Sequence, residues 1–181
     1  RCDQTLQRYL LDGFAAGDCL RQAGLPDGVV NLATGPGSTL GNALVESPDV
    51  SGITFTGSYD VGMNLYYNHT NLKYVRPTIL ELGGKNPTII SRHADVEDAA
   101  LGTVRSAFGL QGQKCSAASR VYIEEPLYDK VVQRMVELTE KFAVGDPTER
   151  QVYLGPGINK EAYAEYQSYI TDLAAAGTIL T

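Results

Sequence analysis

Two consecutive repeats of strand, glycine loop and helix constrain this fold more than any other feature of the sequence. Val29-Val30-Asn31-Leu32-Ala33 reads as a short buried strand. It leads into Gly35-Pro36-Gly37 and a helix over about 38–47, with Ser38 as its N-cap. Ile53-Thr54-Phe55-Thr56 reads as the next strand and leads into Gly57-Ser58 and a helix over about 59–68. Strands that recur with helices between them pair in parallel through crossover connections, so the pattern predicts an α/β fold on a parallel sheet. A helix over 4–23 comes first, with Leu6, Leu10, Phe14, Cys19, Leu20 and Ala23 at helical spacing. Gly24-Leu25-Pro26-Asp27-Gly28 ends it with turn chemistry.

The second half continues in the same style. Thr78-Ile79-Leu80-Glu81 and Thr88-Ile89-Ile90 read as strands on either side of Gly83-Gly84. That glycine pair is the best domain boundary, with 1–82 before it and 83–181 after it. A helix near 95–110 and a strand at Arg120-Val121-Tyr122-Ile123 follow. A helix over about 127–142 then draws its inner face from Val131, Val132, Met135, Val136, Leu138 and Phe142. A last helix runs over about 160–175, and Thr178-Ile179-Leu180-Thr181 reads as the start of a strand. With no initiator methionine and no leader-like segment, both ends read as cut from something longer.

Composition narrows the partners. At 181 residues, 43% hydrophobic and 20% charged, the sequence is that of a globular chain able to bury a core. A net charge of −6 with scattered Lys and Arg argues against nucleic acid, because phosphate neutralisation needs a basic face. No apolar run approaches membrane-spanning length, so no membrane partner is expected. Cys2, Cys19 and Cys115 are odd in number and lack metal-ligand spacing. They point to a reducing compartment, cytoplasm or mitochondrial matrix, and to no metal site.

The chemistry concentrates in Gly112-Gln113-Lys114-Cys115-Ser116-Ala117-Ala118-Ser119-Arg120. A thiol is a strong nucleophile once its pKa falls and substrate can reach it. Cys115 lies among small polar residues after a glycine bend, with a lysine before it, and belongs to no periodic pattern. Cys19 sits on the apolar pattern of a helix and reads as core packing, while Cys2 is incidental. Glu81, thirty-four positions before Cys115 (115 minus 81), ends an apolar strand and is a candidate base for thioester chemistry. Its plainer reading is a solvated strand end or a partner for Lys85. The loops at 35–38 and 57–58 place helix N-termini where parallel sheets bind phosphates, although such glycines are also ordinary punctuation. The Gly-x-Gly-x-x-Gly fingerprint is absent. His69 and His93 read as surface or capping residues, Glu124-Glu125 as a solvated edge, and Asp95-Val96-Glu97-Asp98 as a helix start. The tyrosines, several between 163 and 169, read as packing residues.

Glu81-Leu82-Gly83-Gly84-Lys85-Asn86-Pro87 followed by Gly112-Gln113-Lys114-Cys115 strongly resembles the aldehyde dehydrogenase superfamily. Phe55-Thr56-Gly57-Ser58-Tyr59-Asp60-Val61-Gly62 is similar to its cofactor-loop motif, and the match runs from about Leu6 to Ala174. The Gln-Lys-Cys-Ser-Ala form most resembles the branch that oxidises glutamate γ-semialdehyde, the 1-pyrroline-5-carboxylate dehydrogenases. The resemblance implies a partial Rossmann-like aldehyde dehydrogenase fold. Residues 1–82 would be the later part of the cofactor domain and 83–181 the first part of the thiol-bearing catalytic domain. It implies NAD, or NADP, as cofactor, a small aldehyde as substrate and a homo-oligomeric parent. Cys115 would attack the aldehyde to form a thiohemiacetal and then a thioester. Glu81 would activate the hydrolytic water and could also deprotonate the thiol, and the Cys115 N–H would hold the oxyanion. Gly57, Ser58 and the helix they start, Gly62 included, would face the cofactor pyrophosphate. Gly37, Ser38 and Val61 would lie near the adenine, Leu82 near the nicotinamide, and Ser116 would help hold a substrate carboxylate.

The departures set the alternatives. Family members are about two and a half times longer. The oxyanion asparagine, the lysine on the adenosine ribose, the glutamate on the nicotinamide ribose and the C-terminal carboxylate anchor have no counterpart here. The 181-residue chain alone is therefore expected to be inactive. One alternative is a fragment or remnant kept as a structural or binding module. Another is a coenzyme-A acylating relative, which Glu81 disfavours because transfer to a thiol needs no water-activating base.

Overall fold

The computed structural model describes residues 4–68 and 74–181, with side chains from Gly13 onward. Cys2, His69 and the side chains of Leu6 and Leu10 lie outside the described residues. The chain divides into two units, residues 1–55 with 63–79, and residues 56–62 with 80–181.

The first unit opens with α1 (Gln4–Gln22). Gly24 stops it by adopting φ 86, which lets Leu25 N–H reach back to Leu20 O at 3.1 Å and Gly24 N–H to Arg21 O at 3.0 Å. This glycine-terminated Schellman arrangement is what the turn sequence requires. The expected strand at 29–33 does not form. Gly28 turns at φ 84, the Asn31 side chain donates to Gly28 O at 2.8 Å, and Val29 and Val30 stay 61% and 58% exposed. With none of the described strands beside it, the segment lies as coil along α1, where Leu32 presses on Gly13. That contact covers little of the helix, so Cys19 is exposed rather than packed in a core, and Phe14 is 62% exposed.

The expected helix from Ser38 is a π-type turn (Gly37–Gly41) running into α2 (Asn42–Glu46). Ser38 lies inside the turn rather than capping it. Pro36 occupies the cap position, and the first turn is closed by Thr39 Oγ1 donating to Pro36 O at 3.2 Å. Arg76 caps the far end, its guanidinium donating to Val45 O at 2.5 Å and to Ser47 O at 2.7 Å. Cations belong at that end, where helix carbonyls lack intrahelical partners.

Strand β1 (Ile53–Gly57), helix α3 (Tyr59–Tyr67) and strand β2 (Thr78–Leu82) follow, and β1 pairs with β2. The second unit continues with β3 (Asn86–Ile90), α4 (Val96–Phe108), β4 (Ala118–Ile123) and α5 (Tyr128–Thr139). It ends with β5 (Ala143–Val144), β6 (Val152–Leu154) and α6 (Lys160–Ala176). Strands β3 and β4 pair in parallel with α4 in the connection between them, and β5 and β6 also pair in parallel. The described strands thus form three two-stranded sheets rather than one continuous sheet. The short β5 and β6 have no clear sequence signal, because two or three residues cannot display a period.

One face of β3–β4 carries the core. Ile90, Ala100 and Val131 are buried together, with Val121, Ile123, Met135 and Leu138 packed around them. Burying a Val or Ile side chain is worth about 2 kcal/mol, so this cluster is the main hydrophobic anchor of the unit. The other face stays open, with Ile89 79% and Tyr122 55% exposed. Helix α5 is shorter than the expected 127–142: a 3-10 turn (Glu125–Leu127) takes its first residue, and the helix ends at Thr139, ahead of Phe142 and β5. Tyr163, Tyr166 and Tyr169, expected to pack, are more than half exposed on α6, which buries none of its residues. The expected C-terminal strand at 178–181 is coil.

Two ion-pair sets tie the elements together. Asp95 caps α4, its Oδ1 accepting from Asp98 N–H at 2.9 Å. Arg134 of α5 makes a forked contact with Glu97 of α4 at 2.6 and 2.7 Å and also donates to Glu137. Glu124 is not a solvated edge. It takes the Arg92 backbone N–H and guanidinium, with Nη2 at 2.9 Å from Oε1, locking the end of β4 to the residue pair after β3. The Arg92 side chain, and next its backbone N–H, pull the Glu124 carboxyl down to about 2 from its usual 4.5. A lowered folded pKa adds stability above the unfolded value and loses it as pH falls through the folded one. We therefore expect the urea-midpoint difference between the wild type and Glu124→Gln to be full at neutral pH and to shrink between about 4.5 and about 2. A difference constant across that window would contradict the pairing.

Candidate active site

Cys115 is exposed, at a central position of a turn closed by Ala117 N–H donating to Lys114 O at 3.2 Å. Local sequence forces that turn. Helix α4 ends at Phe108, and Leu110 (φ 51), Gln111 (φ 60) and Gly112 (φ 71) then run through the left-handed region. For Leu110 and Gln111 this costs about 1–2 kcal/mol each. Gly112 is required twice over, since a Cβ there would also sit 2.9 Å from Ala107 O. The run ends with Gln113 N–H on Leu110 O at 3.1 Å and Lys114 N–H on Gly112 O at 2.9 Å.

Asn86 holds the loop from the other side. It opens β3, and its Nδ2 donates to Cys115 O at 2.6 Å and to Ala117 O at 3.4 Å. Ser119 Oγ returns a bond to Asn86 O at 3.5 Å, and Ser106 Oγ of α4 accepts from Ala118 N–H at 3.1 Å. The nucleophile candidate therefore sits on a peptide fixed at its carbonyl. Among the described residues no protein acceptor engages the Cys115 N–H.

Glu81 reaches the same neighbourhood through the chain. Strand β2 alternates, so Leu80 and Leu82 face inward and Glu81 faces solvent. Leu82 packs tightly on Gly62 of α3, where a Cβ would come within 2.3 Å of its Cδ2. Gly84, three residues beyond Glu81, lies against the cysteine loop, where a Cβ would come within 3.5 Å of Cys115 O. An extended chain spans about 3.5 Å per residue, so the Glu81 Cα lies within about 10 Å of the Gly84 Cα. No ion pair joins Glu81 to Lys85 among the described residues. Lys114 sends its ammonium back to Gly109, beside the Tyr153 hydroxyl.

Gly57, Ser58, Val61 and Gly62 form the turn from β1 into α3. Ser58 Oγ accepts from Val61 N–H at 3.4 Å and Ser58 O from Gly62 N–H at 3.0 Å, capping the helix. Asp60 adds an acidic group to that first turn. Gly37 and Ser38 belong to the first unit, where a Cβ on Gly37 would meet open space. Ser116 is exposed next to Cys115. Sequence reasoning gave Asn86 and Gln111 no role. Their signal was position alone, one opening a strand after the glycine pair and one inside the cysteine bend.

The two glycine positions behave differently, and this is measurable. Gly112→Ala is expected to destabilise the second unit by about 1–3 kcal/mol in chemical denaturation. Gly83→Ala meets nothing within 4 Å and is expected to change stability by less than about 0.5 kcal/mol. Equal effects at the two positions would contradict the loop geometry.

The aldehyde dehydrogenase family model matches residues 11–181. The chain is 43% identical over 157 residues to 1-pyrroline-5-carboxylate dehydrogenase 2 of Halalkalibacterium halodurans, covering 84% of this chain and 30% of the relative. Its structure resembles proline utilization A from Bdellovibrio bacteriovorus with a TM-score of 0.87 at 34% identity, over 95% of this chain and 18% of that one. It also resembles 1-pyrroline-5-carboxylate dehydrogenase from Thermus, solved with bound NAD, with a TM-score of 0.75 at 40% identity, over 83% of this chain and 30% of that one. The chain thus spans about a third of the length of the curated relatives it matches. It belongs to the aldehyde dehydrogenase family.

Proposed function

We propose that this chain carries the thiol and the base of an NAD(P)-dependent aldehyde oxidation, with glutamate γ-semialdehyde as substrate and glutamate as product. The observation that carries the reading is the exposed Cys115 on a turn whose carbonyl Asn86 holds, beside the glycine pair that follows Glu81. Named relatives support the substrate class, since curated proteins 43% and 42% identical to this chain are 1-pyrroline-5-carboxylate dehydrogenases.

Cys115 as thiolate attacks the aldehyde carbon and forms the C–S bond. The carbonyl oxygen gains the negative charge and accepts the uncommitted Cys115 N–H. The nicotinamide cofactor, when bound, supplies the hydride acceptor that turns the thiohemiacetal into a thioester. Glu81 then removes a proton from water as it attacks the thioester carbon. The C–S bond breaks, releasing the carboxylate and restoring the thiolate. Ser116, adjacent to the thiol, donates to the substrate carboxylate.

The residues present fit the cofactor. Gly37 and Gly83 leave open space beside the backbone, and Ser58 starts α3 at the end of β1 in the strand-to-helix turn that suits a pyrophosphate. Asp60 works against an anion there, so the fit rests on backbone amides rather than on positive charge. In this reading Gly57, Ser58 and Gly62 serve the pyrophosphate, Gly37, Ser38 and Val61 the adenine, and Leu82 the nicotinamide. Residues 1–82 belong to the cofactor domain and 83–181 to the catalytic domain of a longer enzyme of a reducing compartment, cytoplasm or mitochondrial matrix, that forms homo-oligomers.

The test uses a full-length protein carrying this sequence and follows formation of reduced nicotinamide. Cys115→Ala is expected to abolish turnover, and Glu81→Gln to slow it by about 100-fold or more. Glutamate γ-semialdehyde is expected to give a higher kcat/KM than an aldehyde lacking the carboxylate. Wild-type turnover in either variant overturns the assignment.

A further inference from the structure

The left-handed run before the cysteine turn needs an anchor, and the structure supplies one from an element the functional reading does not use. Two consecutive non-glycine residues at positive φ relax to ordinary backbone unless their surroundings fix them. Leu110 is 67% exposed and cannot do this by burial. Gln111 can. Its Nε2 donates to Gly155 O at 2.6 Å and to Pro156 O at 3.3 Å, and its Oε1 accepts from Gln113 Nε2 at 2.9 Å. Two carbonyl acceptors fix which end of the carboxamide is the donor. Gln113 Nε2 also donates to Leu110 O at 3.3 Å, so Leu110 and Gln111, the two non-glycine residues of the bend, share one network with Gln113.

The anchor is itself built firmly. Gly145 N–H donates to Leu154 O at 3.0 Å, and Asp146 Oδ1 accepts from Thr148 N–H at 2.9 Å. Pro147 packs against Gly155. Beneath the bend Tyr153 stacks on Phe142 with ring centroids 4.0 Å apart, and Phe108, the last residue of α4, meets Phe142 edge-on at 6.2 Å. The bend is therefore seated on the 142–156 segment on one side and on Asn86 on the other.

We propose that Gln111 is a positioning residue, whose carboxamide ties the left-handed bend to the Gly155 and Pro156 carbonyls and so fixes the turn that presents Cys115. The 142–156 segment then governs the nucleophile loop without touching the thiol. The proposal rests on Cys115 being the reactive residue, but its test does not depend on dehydrogenase activity.

Trypsin places the three thiols on separate peptides, with Cys115 on 115–120 and Cys19 on 9–21. Each can therefore be followed by mass spectrometry during alkylation with iodoacetamide. Gln111→Glu keeps the size and removes the donor. Gln111→Asn suits the left-handed region but falls short of the carbonyls. Gln111→Lys keeps a donor with reach. In Glu and Asn, amide exchange across 109–117 is expected to rise about tenfold or more with α5 unchanged. The Cys115 alkylation rate is expected to change about threefold or more relative to Cys19. The Lys variant is expected to restore both. Unchanged exchange in a folded Glu or Asn variant overturns the proposal. Faster exchange with an unchanged Cys115 rate reduces Gln111 to a structural residue and overturns it equally. Loss of dehydrogenase activity alone in a Cys115-intact protein bears on the functional reading and leaves these outcomes standing.

Discussion

The hydrogen bond from Asn86 Nδ2 to Cys115 O is the interaction on which the candidate site depends. It joins the first residue of β3 to the loop that follows α4, two segments twenty-nine positions apart. A surface loop with an exposed thiol would otherwise sample many conformations, and a nucleophile gains rate from a fixed approach. The same residue receives Ser119 Oγ at its own carbonyl, so the start of β3 and the start of β4 register each other there. The parallel β3–β4 pair thus fixes the thiol-bearing turn at its Asn86 end, while Ile90 at its other end joins Ala100 and Val131 in the core.

Strain and anchorage balance at this loop. The helix must end and the chain must reverse within a few residues, which forces Leu110, Gln111 and Gly112 through positive φ. Only the last is a residue that accepts this conformation readily. The hydrogen bonds of Gln111 and Gln113 and the aromatic stack of Phe142 and Tyr153 lie around the strained residues. A rigid, costly bend beside a reactive group is the usual place for such strain to persist.

Much of this was legible in the sequence, and the failures have physical causes. The helices at 4–22, 59–67, 128–139 and 160–176 follow from apolar period and end signals. Cys115 stood out because it belongs to no periodic pattern, and Glu81 as the carboxylate at the end of an apolar strand. The strand expected at 29–33 failed because a strand exists only through its partner, and the described strands leave that segment unpaired. Cys19 and the α6 tyrosines failed similarly, since helical spacing marks an apolar face but not what covers it. Asn86 and Gln111 act through long-range bonds to backbone carbonyls, which no local pattern announces.

The covalent step on Cys115 is the centre of the account, and trapping it is the most direct test. A full-length protein carrying Glu81→Gln is mixed with glutamate γ-semialdehyde and NAD, stopped in acid and digested with trypsin. The account predicts that peptide 115–120 gains the mass of glutamate less one water, as a thioester on Cys115. Formation of reduced nicotinamide with peptide 115–120 unmodified throughout would contradict it.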